Sequence, residues 1–223
     1  MSDKKKEEQI VDITGSYSKF EHWINQNKTI LTYVVGGLFV IVLGYLGFNK
    51  LYMGPKEKDA QNKMFVAQKY FAADSLDKAL NGDKNYPGFL KIIDDYKWTK
   101  AANLAHYYAG VIYLKKGKFD DAISHLESFD GKDKLVSGMA LCDLGDAYSE
   151  KGDFDKAIDY YKKAAYHKEN ELTTPIFLKK AGMLLEKTGK GADAAKLYQE
   201  IQDKYPNSSE ARDIDKYITR AQG

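Results

Sequence analysis

Two stretches of this chain repeat each other at a fixed distance: LAHYYAGVIYLKKGKFDDAI at residues 104–123 and MALCDLGDAYSEKGDFDKAI at residues 139–158. A glycine, a tyrosine, a second glycine, a phenylalanine, an alanine and an isoleucine all recur 35 positions later, as in Gly110 and Gly145. A third copy follows the second by 37 positions, with glycines at 182 and 189. Self-similarity at a period of this length predicts a stack of similar helical hairpins.

The repeated residues have separate physical roles, which the second copy illustrates. Gly145, in the first helix of the hairpin, leaves room for the second helix to approach closely. Gly152 ends the first helix, where the residue after the C-cap often adopts the left-handed conformation. Asp153 then follows as a predicted N-cap of the second helix. Tyr161, on that helix, fills the gap between neighbouring elements.

These residues resemble the tetratricopeptide repeat, a 34-residue helix–turn–helix, over about residues 103–206. The resemblance implies an all-α solenoid over residues 51–223, with roughly nine helices. The first of these is predicted over residues 58–82, from its apolar stripe. The predicted units are a divergent repeat over 58–97, repeats over about 103–136, 138–171 and 175–208, and a capping helix over 208–221.

An uncharged run of residues precedes this domain. Residues 29–49 contain no charged side chain and lie between Lys28 and Lys50. As an α-helix they span about 31 Å, close to the ~30 Å hydrocarbon core of a bilayer, so residues 29–50 are predicted to form one transmembrane helix. A cleaved signal peptide is disfavoured, because its apolar region is usually only about 7–15 residues long.

Features around this helix suggest further contacts. The tail over residues 1–28 ends in a juxtamembrane stretch with four apolar residues, which is interpreted either as an aromatic anchor or as a short amphipathic segment at the interface. These residues are Tyr17, Phe20, Trp23 and Ile24. Four glycines inside the run could contact another membrane helix, although glycine is common in such helices anyway. They are Gly36, Gly37, Gly44 and Gly47.

Composition excludes several classes of function. The net charge is only +2 with 30% charged residues, whereas nucleic-acid binding usually needs a clear basic excess. Cys142 is the single cysteine, so an intrachain disulfide is excluded. The four histidines lack metal-ligand spacing, and phosphate-loop, HExxH and GxSxG motifs are absent. We therefore expect a binding protein without catalytic residues, cofactor or metal.

The predicted binding surface lies on the first helix of each repeat, which lines the groove in tetratricopeptide domains. By this resemblance the candidate groove residues are Leu104, Tyr107, Val111, Leu114, Lys115, Met139, Cys142, Asp146, Ile176, Lys179 and Met183. Any one of the apolar residues could equally belong to the core. The pattern lacks the Lys/Asn/Arg clamp that holds a C-terminal carboxylate, so this mode of binding chaperone tails is not expected.

The whole arrangement resembles the YfgM-type ancillary subunits of the bacterial SecYEG translocon. The resemblance extends to residues 20–28 (FEHWINQNK) and 65–71 (FVAQKYF). It implies a single-pass protein of the bacterial inner membrane, with a cytoplasmic N-terminus and a periplasmic C-terminal domain. Its implied partners are the SecYEG translocon, a membrane-anchored periplasmic chaperone of the PpiD type and emerging secreted polypeptides.

Two alternatives stay open. The same fold could be a scaffold of another cell-envelope complex, in division or outer-membrane assembly. The domain could also be cytoplasmic, because the lysines that follow the helix slightly favour that side under the positive-inside rule. That rule is weak here, since long domains translocate largely regardless of charge.

Overall fold

The computed structural model describes residues 2–133 and 135–223, with side-chain surroundings from residue 17 onward. The charged side chains of the tail over residues 2–16 therefore lie outside the described part. The chain divides into two compact units, Met1–Pro55 and Lys56–Gly223. The first unit contains helix α1 (Ser2–Gly47) and a π-helical segment (Phe48–Met53).

Helix α1 continues without a break through residue 28, where the tail was predicted to end, and contains the apolar run as far as Gly47. The last two residues of the run, Phe48 and Asn49, belong to the π-helical segment. By length and composition, the helical stretch Tyr17–Ala72 includes a segment able to cross a membrane. The large apolar side chains of this segment are exposed, for example Val35 and Phe39. A Cβ added at any of its four glycines would meet no atom within 4 Å among the described residues. Their role as a helix contact therefore stays a prediction.

Ten α-helices follow within the described residues: α2 (Gly54–Ala72), α3 (Leu76–Asn81), α4 (Phe89–Asp95), α5 (Lys100–Lys115), α6 (Phe119–Ser128), α7 (Val136–Glu150), α8 (Phe154–His167), α9 (Thr174–Lys187), α10 (Gly191–Lys204) and α11 (Ile214–Gln222). Helices pack mainly against their neighbours in sequence, as expected for a solenoid. No β-strand occurs in the described part of the chain, and Gly82 and Pro87 form only an isolated bridge. The predicted all-α fold is confirmed.

Two predicted helices differ from the structure. The helix expected over residues 58–82 is interrupted after Ala72, because Asp74 adopts a left-handed φ of 53°. The N–H of Ser75 then donates to the carbonyl of Tyr70 at 2.8 Å, and α3 follows as a separate helix. The capping helix also begins later than residue 208, since a 3₁₀ turn over Glu210–Asp213 precedes α11. The described domain thus contains ten α-helices rather than roughly nine.

The three regular hairpins, α5–α6, α7–α8 and α9–α10, depend on close contact at the first glycine of each repeat. A Cβ added at Gly182 would lie 2.4 Å from Cε1 of Tyr198, and one at Gly145 would lie 2.5 Å from Cδ1 of Tyr161. Such distances are too short for any side chain larger than hydrogen. The predicted close approach of the two helices is therefore confirmed.

The second glycine of each repeat ends the first helix as predicted. Gly117, Gly152 and Gly189 have φ values of +70°, +80° and +76°. In the second repeat, the N–H of Asp153 donates to the carbonyl of Tyr148 at 2.9 Å, which is the 6→1 hydrogen bond of a Schellman motif. The Asp153 side chain then accepts from the N–H of Lys156, which makes it the N-cap of α8.

We predict that Gly182→Ala lowers the free energy of unfolding by about 1–2 kcal/mol. Overpacking against the buried Tyr198 ring costs about 1–3 kcal/mol, and the better helix propensity of alanine recovers up to about 1 kcal/mol. Thermal unfolding of the full chain in mild detergent measures the change. The neighbouring Met183→Ala is the control, since Met183 is exposed and should alter stability by about 0.5 kcal/mol or less. Equal stability of the two variants would contradict the packing role of Gly182.

Candidate partner-binding groove

Two adjoining depressions on the repeats share Ser149 and Tyr161. Together they form what we call the central groove. Its first part lies between the end of α5 and α7, and its second part lies between α7 and α9. The lining residues are Leu114, Lys115, Gly117, Phe119, Asp146, Ser149, Glu150, Tyr161, Lys180, Met183, Leu184 and Lys187. Apolar and charged side chains of both signs therefore meet on one continuous surface.

Tyr161 reaches the groove from the second helix of its hairpin. Its ring passes beside Gly145, where only a hydrogen atom leaves enough room. Its hydroxyl then donates to Oδ1 of Asp146 at 2.6 Å. Burial raises the pKa of the Tyr161 hydroxyl, and Asp146 raises it further. The hydroxyl therefore stays protonated at neutral pH and holds the Asp146 carboxylate in place.

Lys180 forms an ion pair with Asp146 across two repeats. Its Nζ lies 2.7 Å from each carboxylate oxygen of Asp146. Burial alone would lower the pKa of Lys180, but Cys142 and Asp146 raise it above its usual value. The pair is partly exposed, with 39% of the Lys180 side chain and 30% of the Asp146 side chain accessible. It thus fixes α7 to α9 and presents charge in the groove.

Asp143 lies one helical turn from Asp146 and carries an unusual carboxyl group. Burial, followed by the negative charge of Asp146, raises the pKa of Asp143 to about 7. Lys180 and the hydroxyl of Tyr107 partly offset this increase. The carboxyl groups of Asp143 and Asp146 thus both lie near the single ammonium group of Lys180. Asp143 therefore holds a proton to much higher pH than an ordinary aspartate does.

Cys142 is a structural residue rather than a reactive one. Its side chain is buried, with 5% exposure, and it belongs to the apolar cluster around the third repeat. Burial raises the pKa of the Cys142 thiol to about 12. Because the thiolate is the nucleophilic form, a thiol held neutral in this way is inert.

The structure brings four of the eleven candidate groove residues into the central groove: Leu114, Lys115, Asp146 and Met183. The other seven do not line it. Leu104 and Tyr107 pack against buried clusters, and Cys142 is itself buried. Lys179 turns toward the capping helix, with its Nζ 4.5 Å from the ring centroid of Tyr217. Val111, Met139 and Ile176 are at least partly exposed outside the groove.

Three residues in or beside the central groove were missed as candidates: Tyr161 and Lys180, which line it, and Asp143, which lies one helical turn from Asp146 without lining it. A signal for two of them is present in the repeat alignment. Lys180 stands 37 positions after Asp143, so opposite charges occupy the same position of consecutive first helices. Assigning the groove by fixed helix positions selected Lys179 in place of Lys180. The role of Tyr161 in the groove has no such signal, because its position on the second helix marks it as core.

One histidine pair lies outside the groove. Nδ1 of His106 and Nδ1 of His125 are 3.1 Å apart between α5 and α6. Burial lowers the pKa of both rings, and the charge of His125 lowers that of His106 further. Neutral imidazoles can share one hydrogen bond at this distance. Among the described residues, no group of three His, Cys, Asp or Glu side chains is arranged to hold a metal ion.

Comparison with known proteins identifies the repeats. Two tetratricopeptide repeat family models match, one over residues 100–165 and the other over residues 142–209. These matches confirm tetratricopeptide repeats in this part of the chain and support a protein-interaction scaffold. They do not distinguish the YfgM type from other proteins with such repeats.

A curated relative and two solved structures are also similar. The uncharacterised protein ycf37 from Guillardia theta is 33% identical over 107 residues, or 46% of this chain. The match spans only 58% of that relative's length. A Podosopora anserina protein with nearly identical TPR-like repeats superposes with a TM-score of 0.57 at 13% identity, over 74% of this chain and 86% of that one.

A variant of the same Podosopora anserina protein gives a TM-score of 0.56 at 12% identity, over 74% of this chain and 85% of that one. At such low identity these structures show the fold alone. The fold is therefore a stack of repeats like theirs, while the identity of the groove's partner has to come from the groove itself.

We predict that Asp143→Asn stabilises the protein at neutral pH. The pKa of Asp143 is about 7 in the folded protein and about 3.9 in an unfolded chain, so the folded state binds more protons between these pH values. The wild type therefore loses stability as pH rises from about 4 to about 7, and the variant does not share this loss. Above pH 7 its advantage should be at least about 1 kcal/mol.

Denaturant unfolding of both proteins at pH 5 and pH 8 measures this difference. The comparison is made between variant and wild type because His106 and His125, whose pKa values are lowered, change stability in the opposite direction over part of the same range. The same substitution at the exposed Asp203 controls for the loss of a surface carboxylate. An Asp143→Asn advantage that is equal at both pH values would contradict the assignment.

Proposed function

We propose that this chain is a membrane-anchored tetratricopeptide-repeat protein that binds partners in the central groove as an accessory subunit of the Sec translocon. The observation that carries the proposal is the combination of the groove with one apolar helix long enough to cross a membrane. The anchor would keep the groove beside a membrane complex. We propose that the domain has no catalytic role, since Cys142 is buried and inert.

The chemistry of the groove supports an extended polypeptide as ligand. Leu114 and Met183 offer apolar contacts, and methionine adapts readily to different partners. Lys115, Glu150 and Lys187 add exposed charges of both signs at the edges of the same surface. A segment that alternates apolar and charged side chains could match this lining without a terminal carboxylate.

The resemblance to YfgM-type subunits supplies the proposed location and partners. The N-terminus would be cytoplasmic, α1 would span the bacterial inner membrane, and the repeat domain would lie in the periplasm. The SecYEG translocon and a PpiD-type chaperone would be the direct partners, with emerging secreted chains as a further ligand. These assignments rest on resemblance at residues 20–28 and 65–71 and on the repeats.

We predict that Met183→Glu reduces the recovery of SecYEG and the PpiD-type chaperone by about tenfold when the tagged full-length protein is purified in mild detergent. Met183 is 48% exposed in the groove, so a carboxylate there should not disturb folding. Burial of that carboxylate in place of an apolar side chain against a bound partner would cost about 1–3 kcal/mol, and 1.4 kcal/mol corresponds to a factor of ten in affinity.

The control for this experiment is Leu172→Glu. Leu172 is 65% exposed between α8 and α9 and does not line the groove, so recovery should be unchanged. Absence of both SecY and the chaperone from the wild-type purification would contradict the translocon assignment. Recovery of division or outer-membrane assembly proteins instead would favour the scaffold alternative.

We predict that the repeat domain is labelled from the periplasm. Ser209 is exposed, whereas Cys142 is buried, so Ser209→Cys in a Cys142→Ser background gives one accessible thiol. A membrane-impermeant maleimide should label it in cells with a permeabilised outer membrane. A thiol placed by Ser18→Cys, in the tail, should react only after the inner membrane is disrupted. The opposite labelling pattern would place the domain in the cytoplasm.

A further inference from the structure

The loop between α4 and α5 holds a tryptophan away from the protein surface. Trp98 is 86% exposed, the highest exposure among the large apolar side chains from residue 17 onward that the structure describes. Its φ of 69° lies in the left-handed region, which a bulky residue rarely adopts. A strained backbone that presents an apolar side chain to solvent is a reason to look for function there.

The residues on both sides of Trp98 are fixed to the domain. Tyr96 is buried, and its hydroxyl donates to Asp59 of α2. Thr99 is buried as the N-cap of α5, where its hydroxyl accepts from the N–H of Ala102 at 3.0 Å. The N–H of Lys100 donates to Oε2 of Glu57 at 2.6 Å. The exposed indole is thus presented by a well-anchored turn.

The indole is not held by packing within the domain. An open hollow lined by Ile93, Ala102 and His106 adjoins the loop, and Trp98 contributes to its rim. The high exposure of Trp98 shows that its ring does not fill this hollow. Internal stability therefore does not explain a tryptophan at this position.

The contact with Glu57 places the loop at the end of the domain nearest the anchor along the chain. Glu57 follows Asn49, the last residue of the apolar run, by eight residues (57 − 49). Eight residues extend by at most about 29 Å, and by about 12 Å when helical. The turn bearing Trp98 is hydrogen-bonded to Glu57, so the tether keeps it within reach of any bilayer that holds residues 29–49.

We propose that the α4–α5 loop enters the headgroup region of that bilayer, with the Trp98 indole at the membrane–water interface. Tryptophan suits this environment because one part of the ring is apolar and its N–H is polar. Lys97 and Lys100 lie close to Trp98 in the sequence and can contact lipid phosphates, although Asp94 and Asp95 balance their charge. Binding should therefore depend on the indole more than on anionic lipid. The inference rests on the proposed membrane anchor.

Tryptophan fluorescence tests the loop and the anchor separately, because the chain contains only two tryptophans, Trp23 and Trp98. The full-length Trp23→Phe variant reports Trp98 alone, and the Trp98→Phe variant reports Trp23 alone. Both are reconstituted into phosphatidylcholine vesicles, with and without lipids brominated near the headgroup end of the acyl chains. We expect the brominated lipid to quench the fluorescence of Trp98. We also expect Trp98 to emit at a shorter wavelength than in the unfolded protein, and to be largely inaccessible to the aqueous quencher acrylamide.

The outcomes separate the two proposals. If the lipid quenches Trp23 but Trp98 stays exposed to water, the loop contact is overturned and the anchor stays intact. That result would favour a protein partner for the exposed ring. If neither tryptophan is quenched, the anchor fails, and the inference fails with it. Leu172→Trp in a background lacking both natural tryptophans is the matched control, since Leu172 is an exposed residue of a later loop. Equal quenching there would indicate general adsorption of the domain and would also overturn the assignment.

A second variant separates membrane contact from folding. Asn tolerates the left-handed conformation better than tryptophan does, so Trp98→Asn should leave Tm unchanged or raise it. A clear fall in Tm would show that the indole stabilises the domain, and would overturn the inference that Trp98 is exposed for membrane contact. With Tm retained, a cysteine at position 97 (Lys97→Cys, with Cys142→Ser) carrying an environment-sensitive dye should report an apolar setting in vesicles, and lose it when Trp98→Asn is added.

Discussion

The contact between a glycine of the first helix and a large side chain of the second is the interaction on which this fold depends. It occurs as Gly110 with Leu126, Gly145 with Tyr161 and Gly182 with Tyr198. Because glycine has no Cβ, the two helices of a hairpin can approach closely, and the large side chain then fills the space beside the glycine. The left-handed glycine that follows aligns the next helix. Because the same contact recurs, each repeat presents its first helix in the same direction.

The central groove is a direct consequence of that contact. Tyr161 fills the gap beside Gly145, and its hydroxyl emerges next to Asp146. Asp146 in turn pairs with Lys180 of the next repeat. A residue that stabilises the hairpin therefore also positions the ion pair that lies in the groove. A partly exposed pair contributes little net stability because desolvation and solvent screening offset its attraction, so this arrangement fixes the geometry of the groove more than it strengthens the fold.

The sequence predicts the repeats well because their signal is periodic and local. The glycines and the apolar positions are specified within one hairpin, and the structure confirms both glycines in all three repeats and the N-cap predicted at Asp153. Prediction is weaker where the period fails. The break at Asp74 separates two helices whose apolar pattern continues across it, so periodicity gives no warning. The groove is harder still, because a rotation of one position along α9 exchanges Lys179 for Lys180, and only tertiary contacts decide which one faces Asp146.

The distinctive chemistry lies at positions where the repeats differ. One position of the first helix is occupied by Tyr108, Asp143 and Lys180 in the three repeats, at intervals of 35 and 37 residues. These side chains occupy equivalent positions, yet Tyr108 is aromatic, Asp143 is an acid whose pKa is near 7 and Lys180 is a cation. The irregular α4–α5 turn departs from the pattern in the same way and exposes Trp98. The glycine contacts that recur in each repeat form the stack. Residues that take no part in those contacts differ between repeats, and they give the surfaces of the stack their specificity.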